Sequence, residues 1–244
     1  MIRSEFASFD GVTLSYRRQG EGRPVIMLHG FLANSRFNWI GPGISAAIAG
    51  AGFEAVMLDL RGHGRSAMPE DSSAYPPDVL ALDGAAFIAH LGASDYDLVG
   101  YSLGARTAVR MLLRGAAPRR CVLGGMGDIG VVGSAARVAY FEGAITKGEG
   151  GGAKIVNAMI ERAHLNPRVM LNVLKSQVST PAESLAKIIT PTLVVSGSDD
   201  NDNGSAEGLA KLLPHARAER APGNHLSAVQ APELGQAIVN FLKE

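Results

Sequence analysis

Ser102 stands at the centre of the pattern Gly100-x-Ser102-x-Gly104, shortly after a short apolar run within 97–100 and before a helical pattern that reaches 114. A strand, a sharp turn and a helix around such a serine hold its hydroxyl above the sheet, where it can act as a nucleophile. Glycine is needed on both sides because a Cβ there would strike the neighbouring strand or helix. The chain has 30 glycines, so the pattern alone is weak and the interpretation depends on partner residues.

A serine hydroxyl is a poor nucleophile at neutral pH, so an imidazole must take its proton and a carboxylate must orient the imidazole. His225 could supply the imidazole, because its loop at 222–225 follows one predicted strand and precedes the last predicted helix. Acidic residues follow another predicted strand at 192–197. They are Asp199, Asp200 and Asp202. We therefore predict Ser102 as nucleophile and His225 as general base and then general acid, with one of these acids behind it.

Short apolar runs predict the strands that position these side chains. They lie at 12–17, 25–28, 54–58, 97–100, 120–124, 192–197 and 216–220. Helical patterns alternate with them, at 35–49, 78–91, 102–114, 204–213 and 232–242. This alternation predicts an α/β fold with a mostly parallel central sheet and helices on both faces.

The region 128–187 breaks the alternation. It shows no convincing strand and has helical patterns at 134–146, 153–164 and 167–176, with a glycine-rich break at 148–152. We expect a helical insertion over the ends of the strands, which the glycine-rich break could allow to move. Its apolar residues could form a ceiling over the site or could pack onto the core. These residues are Ile155, Val156, Met159, Ile160, Met170 and Leu171.

The chain order Ser, Asp, His, together with His29-Gly30-Phe31-Leu32 after a predicted strand, resembles the α/β-hydrolase superfamily. The turn 59–66, with the sequence DLRGHGRS, is a further mark of that family. The resemblance covers most of the chain outside 128–187. It implies the α/β-hydrolase fold, with a core domain formed by 1–127 and 188–244 and a small helical cap, or lid, at 128–187.

The resemblance also assigns the remaining site residues. The family pattern places the acid three residues after the glycine that ends its strand, here Gly197, which selects Asp200, while Asp199 and Asp202 remain rivals. By the same match, the backbone N–H groups of Phe31 and Leu103 form the oxyanion hole. The resemblance requires no cofactor and no metal.

A serine nucleophile argues against the haloalkane dehalogenases and epoxide hydrolases of this fold, which attack with an aspartate. The resemblance implies a carboxylesterase-like serine hydrolase that cleaves small or medium acyl esters, lactones or thioesters through an acyl-enzyme.

Two alternatives stay open. One resembles the menaquinone-pathway lyase that forms a cyclohexadiene carboxylate, in which arginines hold a polyanionic substrate; C–C bond hydrolases belong to the same group. The arginines that could serve are Arg36, Arg106, Arg137 and Arg168. The other alternative is a non-catalytic protein that binds a small molecule.

Two further patterns are rejected as sites. Residues 125–130, GMGDIG, fit the dinucleotide fingerprint but lie late in the chain rather than in a first βαβ unit. Residues 199–204 open like a calcium-binding EF-hand loop, but Ala210 stands where the bidentate glutamate belongs. His63, in the turn 59–66, is expected to be a packed loop residue.

The composition is typical of an ordinary globular protein, and the expected partner is a small-molecule substrate. Lysines and arginines number 23, and aspartates and glutamates number 23, so no net charge favours nucleic acid or an anionic membrane. The one cysteine, Cys121, excludes an internal disulfide and fits a reducing compartment. The first residues carry charges and lack the apolar core of a secretory signal, and no run is long enough for a membrane helix. We therefore expect a cytoplasmic protein, of an oligomeric state that the sequence does not indicate.

Overall fold

A single sheet with helices on both faces forms the centre of the molecule. The computed structural model describes residues 1–133, 135–148 and 152–244. Position 134, at the start of one predicted helix, and positions 149–151 of the predicted glycine-rich break lie outside the described residues.

In the described residues the sheet has eight strands. They are β1 (Ile2–Ala7), β2 (Thr13–Gln19), β3 (Arg23–Leu28), β4 (Phe53–Leu58), β5 (Asp97–Tyr101), β6 (Cys121–Gly124), β7 (Thr192–Gly197) and β8 (Ala216–Ala221). Their order in space is β1-β2-β4-β3-β5-β6-β7-β8. The pairs β1–β2 and β2–β4 are antiparallel and every other pair is parallel, so the predicted mostly parallel sheet is confirmed.

Helices cover both faces of the sheet. Those in the described residues are α1 (Ile44–Gly50), α2 (Val79–Leu91), α3 (Leu103–Leu113), α4 (Asp128–Val132), α5 (Ala135–Lys147), α6 (Ala153–Arg162), α7 (Pro167–Lys175), α8 (Ala182–Leu185), α9 (Ala206–Leu212) and α10 (Pro232–Lys243). Helices α1 and α10 pack together on one face, with Ile48 and Ile238 in its apolar cluster. Helices α2 and α3 cover the other face, with Phe87 and Val109 in the cluster there. The central strands are therefore buried on both sides, which explains their continuously apolar sequences.

The structure differs from the predicted elements in two places. The predicted helix 35–49 is divided into a π-helical turn at Arg36–Ile40 and helix α1, because Gly41-Pro42-Gly43 intervenes and Gly43 takes a left-handed φ of 81°. Strand β1 has no counterpart among the predictions, because Phe6 is the one buried residue of its six and gives no apolar alternation. The seven predicted strands all occur, as β2 to β8.

Between β6 and β7 the described part of the chain forms helices α4 to α8 and no strand. The three predicted helices of this region correspond to α5, α6 and α7, and the short helices α4 and α8 are additional. Helix α5 packs against α6 and α7. Residues 128–187 are called the insertion below. In the described residues, the helices are all too short or too polar to cross a membrane.

Candidate active site

Ser102 lies in the sharp turn between β5 and α3, with φ 53° and ψ −115°. Residues with a side chain rarely take such angles, so the surrounding structure must hold this turn in place. An added Cβ at Gly104 would overlap the carbonyl oxygen of Leu28, and one at Gly100 would overlap the backbone of Gly104. The Ser102 N–H donates to the carbonyl oxygen of Gly124 on the adjacent strand at 2.8 Å. Both glycines of the motif are therefore required by close backbone packing.

Three side chains that follow β5, β7 and β8 meet at one edge of the sheet. Nε2 of His225 lies 2.9 Å from Oγ of Ser102, and Nδ1 of His225 lies 2.9 Å from Oδ2 of Asp200. The serine, histidine and aspartate are 9%, 8% and 3% exposed, respectively. Parallel strands end at the same edge, which brings together residues that are distant in the sequence. This arrangement can move a proton from the hydroxyl to the imidazole and stabilise the imidazolium that results.

Asp200 is the acid that contacts His225. Its Oδ1 also accepts a hydrogen bond from the backbone N–H of Asp202 at 3.1 Å. Burial raises the pKa of the Asp200 carboxyl, but the hydrogen bond and the attraction to His225 outweigh burial and hold this pKa below its usual value. Asp199 is exposed, and the carboxylate of Asp202 faces Arg137 at 3.6 Å. Of the three candidate acids, Asp200 is therefore the one that is hydrogen-bonded to the imidazole of His225.

The turn that carries His225 is closed by reciprocal hydrogen bonds of Asn224 and Ser227. Oδ1 of Asn224 accepts from the N–H groups of Leu226 and Ser227, each at 3.0 Å. Oγ of Ser227 accepts from the N–H of Asn224 at 2.9 Å. Side chains that bind nearby backbone in this way fix a turn locally, so the imidazole has a defined position.

Tyr101, the residue before Ser102, contacts the same turn from the sheet. Its hydroxyl donates to the carbonyl oxygen of His225 at 2.8 Å. An added Cβ at Gly124 or Gly125 would strike the Tyr101 ring, so these two glycines make room for it. Sequence reasoning missed Tyr101, because partners so far apart along the chain leave no local pattern.

The loop after β3 lies beside Ser102, since an added Cβ at Gly30 would lie 3.3 Å from the Cβ of Ser102. In the described residues, the backbone N–H groups of Phe31 and Leu103 make no hydrogen bond to the protein. Leu103 opens α3, where the first N–H groups have no partner inside the helix. Two N–H groups next to the serine are therefore available to a substrate oxygen.

Buried side chains shape this loop. His29 donates from Nδ1 to the carbonyl oxygen of Gly30 at 2.8 Å and accepts at Nε2 from the N–H of Leu60 at 2.9 Å. Burial lowers the pKa of His29, which keeps the ring neutral and suits these two roles. Oδ1 of Asn38 accepts from the N–H of Gly30 at 2.7 Å, a contact that no pattern in the sequence indicates. Leu32 takes a left-handed φ of 58°, so the loop is bent sharply.

Ser102 and His225 open onto a cavity of about 800 Å³. Its apolar lining includes residues of the loop after β3 and of the insertion, among them Phe31, Phe37, Phe141, Val156 and Met159. The rings of Phe31 and Phe141 meet edge to face, with centroids 5.0 Å apart. Helix α5 of the insertion therefore touches Phe31, one of the two residues predicted to form the oxyanion hole.

The predicted apolar ceiling occurs in part. Three of its six candidates line the cavity: Ile155, Val156 and Met159. The other three lie outside the cavity lining: Ile160, Met170 and Leu171. Of these, Ile160 and Met170 are buried in the main apolar cluster. The insertion thus supplies both an apolar wall and packing to the core.

Arg106 is buried and binds backbone of the insertion. Nη1 donates to the carbonyl oxygens of Gly130 and Val131 at 2.8 and 3.2 Å, and Nη2 donates to that of Val178 at 2.7 Å. Burial, with a smaller effect of Arg110, lowers the pKa of Arg106 to about 10, so it stays charged at neutral pH. Arg106 therefore ties α3 to both ends of the insertion.

The other arginines considered for a polyanionic substrate also have protein partners or lie outside the cavity lining. Arg137 faces the carboxylate of Asp202 at 3.6 Å. Arg168 faces Glu70 at 4.0 Å. Arg168 and Arg36 are exposed and do not line the cavity.

In the described residues, one group of three potential metal ligands lies within 4.8 Å: Asp200, Asp202 and His225. Both ring nitrogens of His225 already form hydrogen bonds, one with Asp200 and one with Ser102.

The two patterns rejected as nucleotide and calcium sites pack against each other. An added Cβ at Gly127 would overlap the backbone of Gly204. Nδ2 of Asn203 donates to the carbonyl oxygen of Gly125 at 2.9 Å. The glycines of 125–130 therefore permit close packing of two loops beside Asp200.

Comparison with known proteins bears on the family and the fold of the chain. Residues 23–122 match the family described as alpha/beta hydrolase fold. N-formylmaleamate deformylase of Pseudomonas putida is 36% identical over 110 residues, 45% of this chain and 39% of that protein. A non-heme haloperoxidase of Rhodococcus erythropolis is 34% identical over 110 residues, 45% of this chain and 38% of that protein. The chain thus matches less than two fifths of the length of these relatives.

The fold extends beyond these matched segments. The esterase RhEst1 from Rhodococcus sp. ECU1013 superposes with a TM-score of 0.77 over 100% of this chain and 99% of its own, at 26% identity. That likeness includes the strands that carry Asp200 and His225, which lie outside 23–122.

Proposed function

We propose that the chain, which belongs to the α/β-hydrolase fold superfamily, hydrolyses carboxylic esters through an acyl-enzyme on Ser102. The observation that carries this proposal is the continuous chain of contacts from Ser102 through His225 to Asp200, with both distances 2.9 Å. A hydroxyl, a base and an orienting acid in hydrogen-bond reach are what acyl transfer requires.

In the proposed reaction, Oγ of Ser102 attacks the acyl carbon while its proton passes to Nε2 of His225. Asp200 stabilises the imidazolium, and the N–H groups of Phe31 and Leu103 bind the developing oxyanion. Each such donor contributes about 3–4 kcal/mol to the transition state in enzymes of this kind. His225 then protonates the leaving alkoxide, and water, activated by the same imidazole, releases the acid from Ser102.

The relatives are named for different activities, a deformylase and a haloperoxidase among them, so the reaction is inferred from the site. The arginines expected of a lyase with a polyanionic substrate bind carbonyl oxygens or carboxylates of the protein, or lie outside the cavity lining. The apolar lining of the cavity favours an uncharged ester. A complete set of catalytic groups in contact also favours an enzyme over a binding protein.

The test is hydrolysis of p-nitrophenyl acetate by the wild type and by Ser102→Ala. We expect Ser102→Ala to lower kcat by roughly four to six orders of magnitude, since loss of the nucleophile removes the acyl-enzyme route. Ser45→Ala is the matched control, because Ser45 is a buried serine on α1 whose hydroxyl bonds Gln19. It should retain kcat within about twofold. A folded wild type that does not turn over the ester, or a Ser102→Ala variant that does, would contradict the proposal.

A further inference from the structure

Exposed apolar side chains concentrate at the opening of the cavity that holds Ser102. Large apolar residues that are exposed in the described part of the chain fall into two groups. The first group lines the cavity and is 45% to 61% exposed: Ile129, Tyr140, Ile155 and Leu226. The second group lies away from the cavity: Met1, Ile2, Phe9 and Ile189. The first group is called the rim.

The rim comes from four separate places in the chain. Ile129 belongs to α4, Tyr140 to α5, Ile155 to α6, and Leu226 follows His225 directly. Single exposed apolar residues are ordinary on protein surfaces and need no explanation. Convergence of four such residues on one cavity marks a surface that binds something apolar.

The rim continues the apolar interior of the cavity. Met159 and Val156 lie on the same helix as Ile155, and Phe141 follows Tyr140 in α5; all five line the cavity. Of the charged groups in this lining, Arg137 faces Asp202, Arg106 binds carbonyl oxygens, and the guanidinium of Arg162 lies over the ring of Phe37, 5.1 Å from its centroid. The wall of the cavity between the serine and the rim is therefore mainly apolar.

We propose that this wall and its rim bind a long apolar acyl chain of the ester substrate, with the carbonyl at Ser102 and the chain end over the rim. The proposal rests on the ester hydrolysis proposed above and names its substrate class. The acyl group is the part that stays attached to Ser102 between the two half-reactions. Contacts with its chain can thus assist both formation and hydrolysis of the acyl-enzyme.

The experiment compares kcat/KM for p-nitrophenyl acetate, butyrate, octanoate and dodecanoate, which vary the acyl chain and keep the leaving group. Burial of each methylene contributes up to about 0.8 kcal/mol, or roughly fourfold, and partial burial less. We expect kcat/KM of the wild type to rise on the order of a hundredfold from acetate to octanoate and to stay high with dodecanoate.

Ile155→Ser tests the rim, and Ile189→Ser is the matched control, since these isoleucines are 57% and 73% exposed and Ile189 lies away from the cavity. We expect Ile155→Ser to lower the dodecanoate-to-acetate ratio of kcat/KM about fivefold, through KM, and Ile189→Ser to leave that ratio as in the wild type. Thermal unfolding of both variants checks that they are folded.

The outcomes separate this inference from the proposed function. Absence of Ser102-dependent acetate hydrolysis would overturn the ester hydrolase itself. Ser102-dependent acetate hydrolysis with a flat or falling chain-length series, or with Ile155→Ser equal to Ile189→Ser, would overturn the acyl-chain site alone. A wild-type dimer in light scattering that Ile155→Ser converts to a monomer would assign the rim to a second copy of the chain and overturn the proposal as well.

Discussion

The hydroxyl of Tyr101 donates a 2.8 Å hydrogen bond to the backbone carbonyl oxygen of His225. Tyr101 ends β5 and directly precedes Ser102, so one side chain joins the strand of the candidate nucleophile to the turn of the candidate base. Burial, together with the negative charges of Asp200 and Asp202, raises the pKa of Tyr101. The phenol therefore keeps its proton and remains a donor at neutral and mildly alkaline pH.

Tyr101→Phe should lower kcat for ester hydrolysis about fivefold and change KM less than twofold. The reason is that loss of one buried hydrogen bond costs about 1 kcal/mol and here frees the turn that positions the imidazole. Steady-state kinetics with p-nitrophenyl acetate measure this separation of kcat from KM. Tyr75→Phe is the control, because the buried hydroxyl of Tyr75 has no hydrogen-bond partner in the described residues. Equal kcat values for the two variants would show that Tyr101 does not position His225.

Ser102 and His225 could be predicted from the sequence, because each is a residue type that suits acyl transfer and each follows a predicted strand. Parallel strands end at one edge of a sheet, so residues that follow β5, β7 and β8 come together whatever their separation. Tyr101 and Asn38 gave no such signal. Each acts through a hydrogen bond to backbone of another loop, and the sequence pattern around each describes only its own strand or helix.

Asp200→Asn should lower kcat by roughly four orders of magnitude, because an amide holds the imidazole in the wrong tautomer and does not stabilise its positive charge. Asp199→Asn is the matched control on the neighbouring exposed residue and should stay within about twofold of the wild type. Initial rates of p-nitrophenyl acetate hydrolysis at neutral pH decide between them. If kcat falls greatly in Asp199→Asn and little in Asp200→Asn, the acid that orients His225 is Asp199 and not Asp200.

In the insertion, helical periodicity predicts the helices but not which of their apolar residues line the cavity. Ile155 and Ile160 both lie on α6, yet Ile155 is at the cavity opening and Ile160 is buried in the main apolar cluster. An apolar stripe shows that a helix face meets an apolar surrounding, but a cavity wall and a core offer the same chemistry. The predicted helices of the insertion were therefore correct in position, while their role over the site was not determined.

Gly104→Ala should reduce the free energy of unfolding by about 3 kcal/mol or more and reduce activity with it. The added Cβ would overlap the carbonyl oxygen of Leu28 and lie 2.8 Å from that of His29, and backbone cannot move aside as a flexible side chain can. Urea unfolding measures the change. Gly143→Ala, within α5, is the control: its Cβ would meet no atom within 4 Å, so it should stabilise by about 0.5–1 kcal/mol. A Gly104→Ala variant as stable as the wild type would refute the packing argument.

His63 should make the protein sensitive to acid. The ring is fully buried, donates from Nδ1 to the carbonyl oxygen of Arg61 at 3.0 Å and has no partner for Nε2 in the described residues. Burial, with the neighbouring His29, lowers its pKa to about 3. The unfolded chain takes up this proton near pH 6.5 and the folded chain does not, so stability falls as pH decreases from about 6.5 towards 3.

At pH 5 this proton uptake by the unfolded chain lowers the free energy of unfolding by about 2 kcal/mol relative to pH 8. His63→Asn keeps a donor for the Arg61 carbonyl and removes the titratable imidazole. Between pH 8 and pH 5 its free energy of unfolding should therefore fall by about 2 kcal/mol less than that of the wild type. Urea unfolding at the two pH values measures it. His164→Asn is the control, since His164 is exposed and its φ of 52° suits asparagine. If His63→Asn and His164→Asn lose equal stability between pH 8 and pH 5, His63 is not the source of the acid sensitivity.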